Sequence, residues 1–300
     1  MRHGRSSIIK IVKRHVCLAV LLFAALHPAS AAQRYPVSGM IVRVDVAERT
    51  MTVSHGPIAG YMDGMVMPFH VRKPEMLAGM QPGMKVDFTL VVEKESSYAD
   101  DVRVTSGDSV GRDPLQARRL QLLDSLVAGT PVNALAVGQP VPDFQLIDQN
   151  RREIRLSQFS GKVVAVTFVY TRCPLPDYCL RLSNNFARLQ KRFRDRDLVL
   201  LSITFDPKYD QPDVLAAYAR TWKADPETWH FLTGPTADLR RVYGSFGVNA
   251  FPDEGLFAHS LRTAVIDRQG KLAAIVPGNE FSPQQIGDLV ETIIAAPPAR

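Results

Sequence analysis

Lys162-Val-Val-Ala-Val-Thr-Phe-Val-Tyr170 runs through Thr171 and Arg172 into Cys173-Pro-Leu-Pro-Asp-Tyr-Cys179. The first stretch is continuous, apolar and rich in β-branched residues, the pattern of a strand buried on both faces. Leu182 to Phe193 follows with helical character. Pro174 and Pro176 stop the helix from starting earlier and stiffen the loop. The cysteines thus occupy a strand-to-helix turn, with Cys179 near the first helical turn, where a helix N-terminus lowers a thiol pKa. Such a pair suits two chemistries, thiol–disulfide exchange and thiolate ligation of a soft metal. His259, eighty positions after Cys179, adds an imidazole and tips the reading toward metal. Two sulfurs and one nitrogen make a three-coordinate set able to hold either copper state.

Outward from this turn, residues 139–300 alternate apolar runs with helical patterns. Strands are expected at 163–170, 198–205, 229–232, 262–267 and 271–276, and helices at 180–194, 211–223, 236–244 and 283–295. The β-α-β-α start and the closing hairpin plus helix predict a thioredoxin-like α/β sandwich. Right-handed crossovers place the 163–170 and 198–205 strands parallel and adjacent.

Residues 35–105 read differently. Short runs of alternating apolar residues (Val42, Val44, Val46; Met51, Val53; Met65, Met67, Phe69, Val71; Val86, Phe88, Leu90, Val92) are separated by turn signals. They predict a small all-β domain of the OB-like barrel kind. Pro68 belongs at an edge or a bulge. Met65 and Met67 leave the same strand face, and His55 ends the preceding strand in phase with Met51 and Val53. Thioethers with an imidazole form a Cu(I) or Ag(I) ligand set that hard cations reject. Residues 106–138 form a linker, in which Leu115, Arg119, Leu122, Leu123 and Leu126 have the spacing of a short amphipathic helix.

The N-terminus reads as a secretory signal over residues 1–31. A basic region through Arg14 leads into the apolar run Val16 to Leu26, and Ala29-Ser30-Ala31 offers a cleavage site before Ala32. The alternative is an uncleaved anchor, which would be the chain's sole contact with a membrane. Export predicts a periplasmic protein. Residues 1–31 hold five basic residues and no acid, so they carry +5 of the chain's formal +6. The nearly neutral remainder gives no reason to propose nucleic-acid binding. Cleavage also removes Cys17 and leaves two cysteines, both in one seven-residue segment of a protein destined for an oxidising compartment. A structural disulfide across so short a loop contributes little entropy.

Several segments carry a family resemblance. Val141-Pro-Asp-Phe-Gln-Leu-Ile-Asp148, Ser160-Gly-Lys-Val-Val164 and Phe168-Val-Tyr-Thr-Arg-Cys-Pro174 resemble the SCO/SenC family of copper chaperones. So do Thr204-Phe-Asp-Pro207, Asp210-Gln-Pro-Asp-Val214, Phe246-Gly-Val248, and His259-Ser260 before Val265-Ile-Asp267. The resemblance implies a thioredoxin-like fold and Cys173, Cys179 and His259 as copper ligands. It also implies an acceptor such as cytochrome c oxidase subunit II, toward whose CuA centre the family delivers copper and where it acts on thiols. The chain departs from the family pattern in having five residues between the cysteines instead of three, and Leu180 where a second proline is common. In the β domain, the Met-x-Met pair after Ser54-His-Gly-Pro57 resembles the CusF-like copper- and silver-binding barrels of periplasmic efflux systems. Those add a tryptophan cap; here the nearest position is Met62, beside Tyr61, so the cap is absent or replaced by a third thioether.

The expected protein is therefore a metallochaperone more than an enzyme. His55, Met65, Met67 and Met62 would capture copper in the β domain, and Cys173, Cys179 and His259 would hold it more tightly, since thiolate binds Cu(I) better than thioether. Two alternatives stay open: a thiol–disulfide oxidoreductase acting on a partner's cysteines through Cys173 and Cys179, and copper sequestration for resistance.

Overall fold

The computed structural model describes residues 32–105, 134–253 and 256–297. The expected signal segment and the amphipathic helix of the linker lie outside the described residues.

Alternating burial builds the N-terminal unit. Strands β1 (Gln33–Asp45), β2 (Thr50–His55), β3 (Val66–His70), β4 (Lys85–Val92) and β5 (Ser97–Thr105) form one sheet in the order β3-β2-β1-β4-β5. Every neighbouring pair is antiparallel. Val37, Ile41, Met51, Val53, Phe69, Val86, Phe88 and Leu90 fill its inner face. Pro68 falls on the edge strand β3, where its missing N–H costs no ladder bond. The all-β expectation holds, but the OB-like barrel is not closed. Among the described residues a single bridge, Val71 with Ala99, joins the edge strands' ends, with no continuous ladder. The chain leaves β3 into a short 3₁₀ turn at Pro74–Leu77 before more pairs can form.

The larger sheet has seven strands in the order β14-β13-β8-β9-β10-β6-β7. Its centre is β8 (Val163–Val169), β9 (Leu198–Thr204) and β10 (Trp229–Thr233), parallel to one another and buried at every residue. Burial on both faces is why these segments read as unbroken apolar runs. The strand β13 (Arg262–Ile266) flanks β8 antiparallel and pairs in turn with β14 (Leu272–Pro277), and β6 (Gln145–Asp148) and β7 (Glu153–Arg155) extend the other side. Four helices complete the layers: α1 (Arg181–Arg192), α2 (Pro212–Thr221), α3 (Thr236–Ser245) and α4 (Pro283–Ala295). Helix α1 buries Leu182, Phe186 and Leu189, one stripe at helical spacing. Each such side chain contributes roughly 1.5–3 kcal/mol by leaving water. A two-stranded hairpin, β11 (Ala250–Asp253) with β12 (Leu256–His259), stands apart from the main sheet and ends on His259.

The two units touch through named residues. The two-residue alternation of β1 sends neighbouring residues to opposite sides. Ile41 packs in the small core, while Met40 and Val42 join the large one. Ser54 donates its hydroxyl to Asp288 of α4 at 2.7 Å, and Gln285 of the same helix donates to the Ser54 carbonyl at 3.4 Å. Lys85 pairs with Glu280 at 3.2 Å. Gly83, at φ 95°, lies so flat on β14 that a Cβ there would come within 2.4 Å of the Ile275 carbonyl oxygen.

Candidate functional site

Extended backbone at Leu175, enforced by the proline that follows it, delays the helix. Pro176–Leu180 then forms one π-helical turn that feeds into α1. The wider turn takes up the extra residues between the cysteines and brings the two thiols together. Cys173 is half-buried, Cys179 is buried, and neither is in a disulfide. The Cys179 thiol hydrogen-bonds the Cys173 sulfur, which lowers Cys173 to about 6. The same bond, with burial, pushes Cys179 well above the ordinary thiol range. Tyr170 also hydrogen-bonds Cys173, and burial raises its own phenol.

His259 is not brought into the same cluster. Among the described residues no group of three or more His, Cys, Asp or Glu side chains converges closely enough to hold a metal. The imidazole instead stacks on Phe205, with ring centroids 4.3 Å apart, and meets Tyr170 edge-on at 6.1 Å. Its Nδ1 donates to the Ser260 carbonyl at 3.2 Å, a bond that assigns the proton to Nδ1 and leaves Nε2 as the unprotonated nitrogen. Burial lowers its pKa to about 4, so the ring is neutral. Tyr170 thus borders both halves of the site: its hydroxyl reaches Cys173 and its ring touches His259.

The second constellation lies at the end of β2. The pairing of β2 with β3 sets Val53 against Met67, and the next bond, His55 N–H to the Met65 carbonyl at 3.0 Å, places Met65 opposite His55. His55 also faces Gly39 of β1, where a Cβ would come within 2.4 Å of Val53 and 2.7 Å of the Ser54 carbonyl. Glycine leaves that floor open. The His55 Nδ1 donates to the Gly56 carbonyl at 2.7 Å, and its Nε2 is buried with no hydrogen-bond partner. A buried bare nitrogen calls for an explanation, and an absent ligand is one. Met67 and Met62 are half-buried against the small core, and Met65 is 45% exposed at the open end of the sheet. Met62 is held there by the turn in which Ile58 N–H bonds the Met62 carbonyl at 2.8 Å. Tyr61 stacks on Tyr35 at 4.6 Å. An imidazole with thioethers fits a soft monovalent cation.

Two features escape a reading of the sequence. One is the packing of Ser54 against α4, which depends on residues more than 200 positions apart. The other is a buried acidic residue, Asp210, bonded to the start of the cysteine loop.

Residues 134–295, more than half of the chain, match the SCO1/SenC family model, and residues 34–99 match that of the copper binding periplasmic protein CusF. An SCO2-like protein of Rickettsia typhi is 29% identical over 137 residues, which are 43% of this chain and 65% of that protein. An SCO1 protein homolog of Bacillus subtilis is 27% identical over 31% of this chain and 49% of its own length. The chain thus spans about two thirds or less of these relatives. Among solved structures, an SCO1/SenC family lipoprotein from Bacillus anthracis aligns at 24% identity, with TM-score 0.47, over 53% of this chain and 99% of that one.

Proposed function

The chain belongs to the SCO1/SenC family, and we propose that it is an exported copper chaperone with two copper sites. In this reading Cu(I) is the cargo. His55 Nε2, Met65, Met67 and Met62 accept it first. Cys173, Cys179 and His259 then hold it for transfer to a metalloprotein, of which the CuA site of cytochrome c oxidase is the preferred acceptor. The observation that carries the reading is the buried, unbonded His55 Nε2 on a face with soft thioethers, on the same chain as a pair of neighbouring free thiols. Binding by all three C-terminal ligands requires His259 and the two sulfurs to converge more closely than they do among the described residues. A periplasmic setting accords with the signal-like N-terminus and with the CusF match. No helix among the described residues is long and apolar enough to cross a membrane.

Anaerobic Cu(I) titration of the chain from Ala32 onward tests the proposal. Two coppers per chain are expected, one lost in Cys173→Ala and the other in Met67→Leu. Absence of copper binding, with rapid thiol–disulfide turnover, would reverse it in favour of a second reading. That second reading, a thiol–disulfide oxidoreductase, draws on the asymmetry of the thiols: an accessible low-pKa Cys173 to attack and a buried Cys179 to resolve. Reductase activity that survives His259→Ala supports exchange, because imidazole is needed for copper and not for exchange.

A further inference from the structure

Asp210 is fully buried, and the groups that bond its carboxylate are all neutral donors. Thr171 donates twice, through its backbone N–H at 3.1 Å and its hydroxyl at 2.5 Å. The Thr204 hydroxyl donates to the same carboxylate and in turn accepts from the Asp206 N–H at 2.9 Å. The neighbouring cation, Arg172, is turned outward onto Asp206 and over the Tyr209 ring. Keeping a carboxylate out of water with neutral partners is costly, and removing it would strand three donors. What the carboxylate secures is the chain two residues before Cys173, where β8 ends and the cysteine loop begins. Thr204 closes β9, and its carbonyl accepts from the Tyr243 hydroxyl, so the far end of the tether is itself anchored.

We propose that Asp210 is a positioning residue for the thiol pair: by tying Thr171 to the end of β9 it sets where the Cys173 sulfur lies relative to Cys179. The inference rests on the reading of Cys173 and Cys179 as the working sulfurs. A carboxylate suits the task better than an amide, because it is acceptor-only and presents two oxygens to three donors. Asparagine keeps the shape and offers one.

The test uses the chain from Ala32 onward in wild-type, Asp210→Asn, Thr171→Val and Asp213→Asn forms. Asp213 is exposed and pairs with Arg151, and its variant is the control. Two quantities are read: the equilibrium constant of the Cys173–Cys179 disulfide against glutathione, which needs no metal, and the sulfur-to-copper charge-transfer absorption after addition of Cu(II) chloride. Asp210→Asn should shift the thiol–disulfide constant by about tenfold or more and change the absorption. Thr171→Val, which removes one donor and leaves the carboxylate in place, should shift both in the same sense by less. The control should match the wild type. If the first two variants lose thermal stability while both quantities stay at wild-type values, Asp210 is a structural residue only and the proposal fails. Should Asp210→Asn not fold, Thr171→Val decides alone. A wild-type chain that neither binds Cu(II) nor forms the disulfide reversibly overturns the site reading itself, a result distinguishable from failure of the Asp210 inference.

Discussion

Cys173 and Cys179 differ in what surrounds each sulfur. Cys173 receives a hydrogen bond from its partner and is half-open to solvent, whereas Cys179 gives that bond and is buried. Thiolate reacts and thiol does not, so alkylation of Cys173 by iodoacetamide should rise with pH through an inflection near 6. Cys179 should stay silent well above the ordinary thiol range. Mass spectrometry of peptides labelled between pH 5 and 9 reads both, and equal labelling of the two would contradict the structure. The pair was legible as a candidate site because two cysteines follow a β-branched run at a strand-to-helix turn; its spacing alone left exchange and metal ligation both open. Strand periodicity put Met65, Met67 and His55 on one sheet face, and the register agrees: Met67 lies opposite Val53 and Met65 opposite His55. Asp210 was not, since its burial depends on Thr171 and Thr204, 39 and 6 positions away. In the sequence it is one more acidic residue beyond a proline.

Among the elements, the hairpin β11–β12 sets the state of His259. The imidazole is buried and neutral, with a pKa of about 4 against an ordinary 6.5. Between those values the unfolded chain binds the proton and the folded one does not, so stability falls as pH drops from about 6.5 toward 4. The full contribution is on the order of 3 kcal/mol. Asp210, raised by burial, works in the opposite sense over the acid range and offsets part of it. Urea midpoints at pH 7 and pH 4.5 should therefore differ less in His259→Leu than in wild type; an unchanged difference would place the acid sensitivity elsewhere. Elements with strong periodicity were readable: β8, β9 and the four helices lie where the apolar pattern puts them. The hairpins β6–β7 and β11–β12 were not, because strands of three or four residues carry too little alternation to be recognised. Barrel closure was over-read for a related reason. Alternation reveals which face of a strand is buried and says nothing of whether the edges meet.

At the scale of the molecule, the small sheet is seated on α4 and β14 by Ser54–Asp288, Lys85–Glu280 and the flat approach of Gly83. Asp288 is also held by Arg192 at 2.8 Å, so loss of the Ser54 hydroxyl strips one of two partners from a nearly buried carboxylate. Such a loss costs about 1–3 kcal/mol. Ser54→Ala combined with Lys85→Ala should uncouple the units. Both tryptophans, Trp222 and Trp229, lie in the larger unit, while far-ultraviolet dichroism reports on both. Thermal transitions followed by the two signals should coincide in wild type and separate in the double variant; coincidence in the variant would mean that the interface contributes little. The seating also has a kinetic meaning. Asn279 donates to the Asp177 carbonyl inside the cysteine loop, and Gln285 reaches the residue before His55. Those two side chains leave the backbone six residues apart, a path of about 20 Å at full extension. On the proposed relay, a cation released by the thioethers starts close to the thiols of its own chain and at an effective concentration that dilution does not alter. Filling of the second site from the first should then be first order, with a half-time independent of how much protein is present.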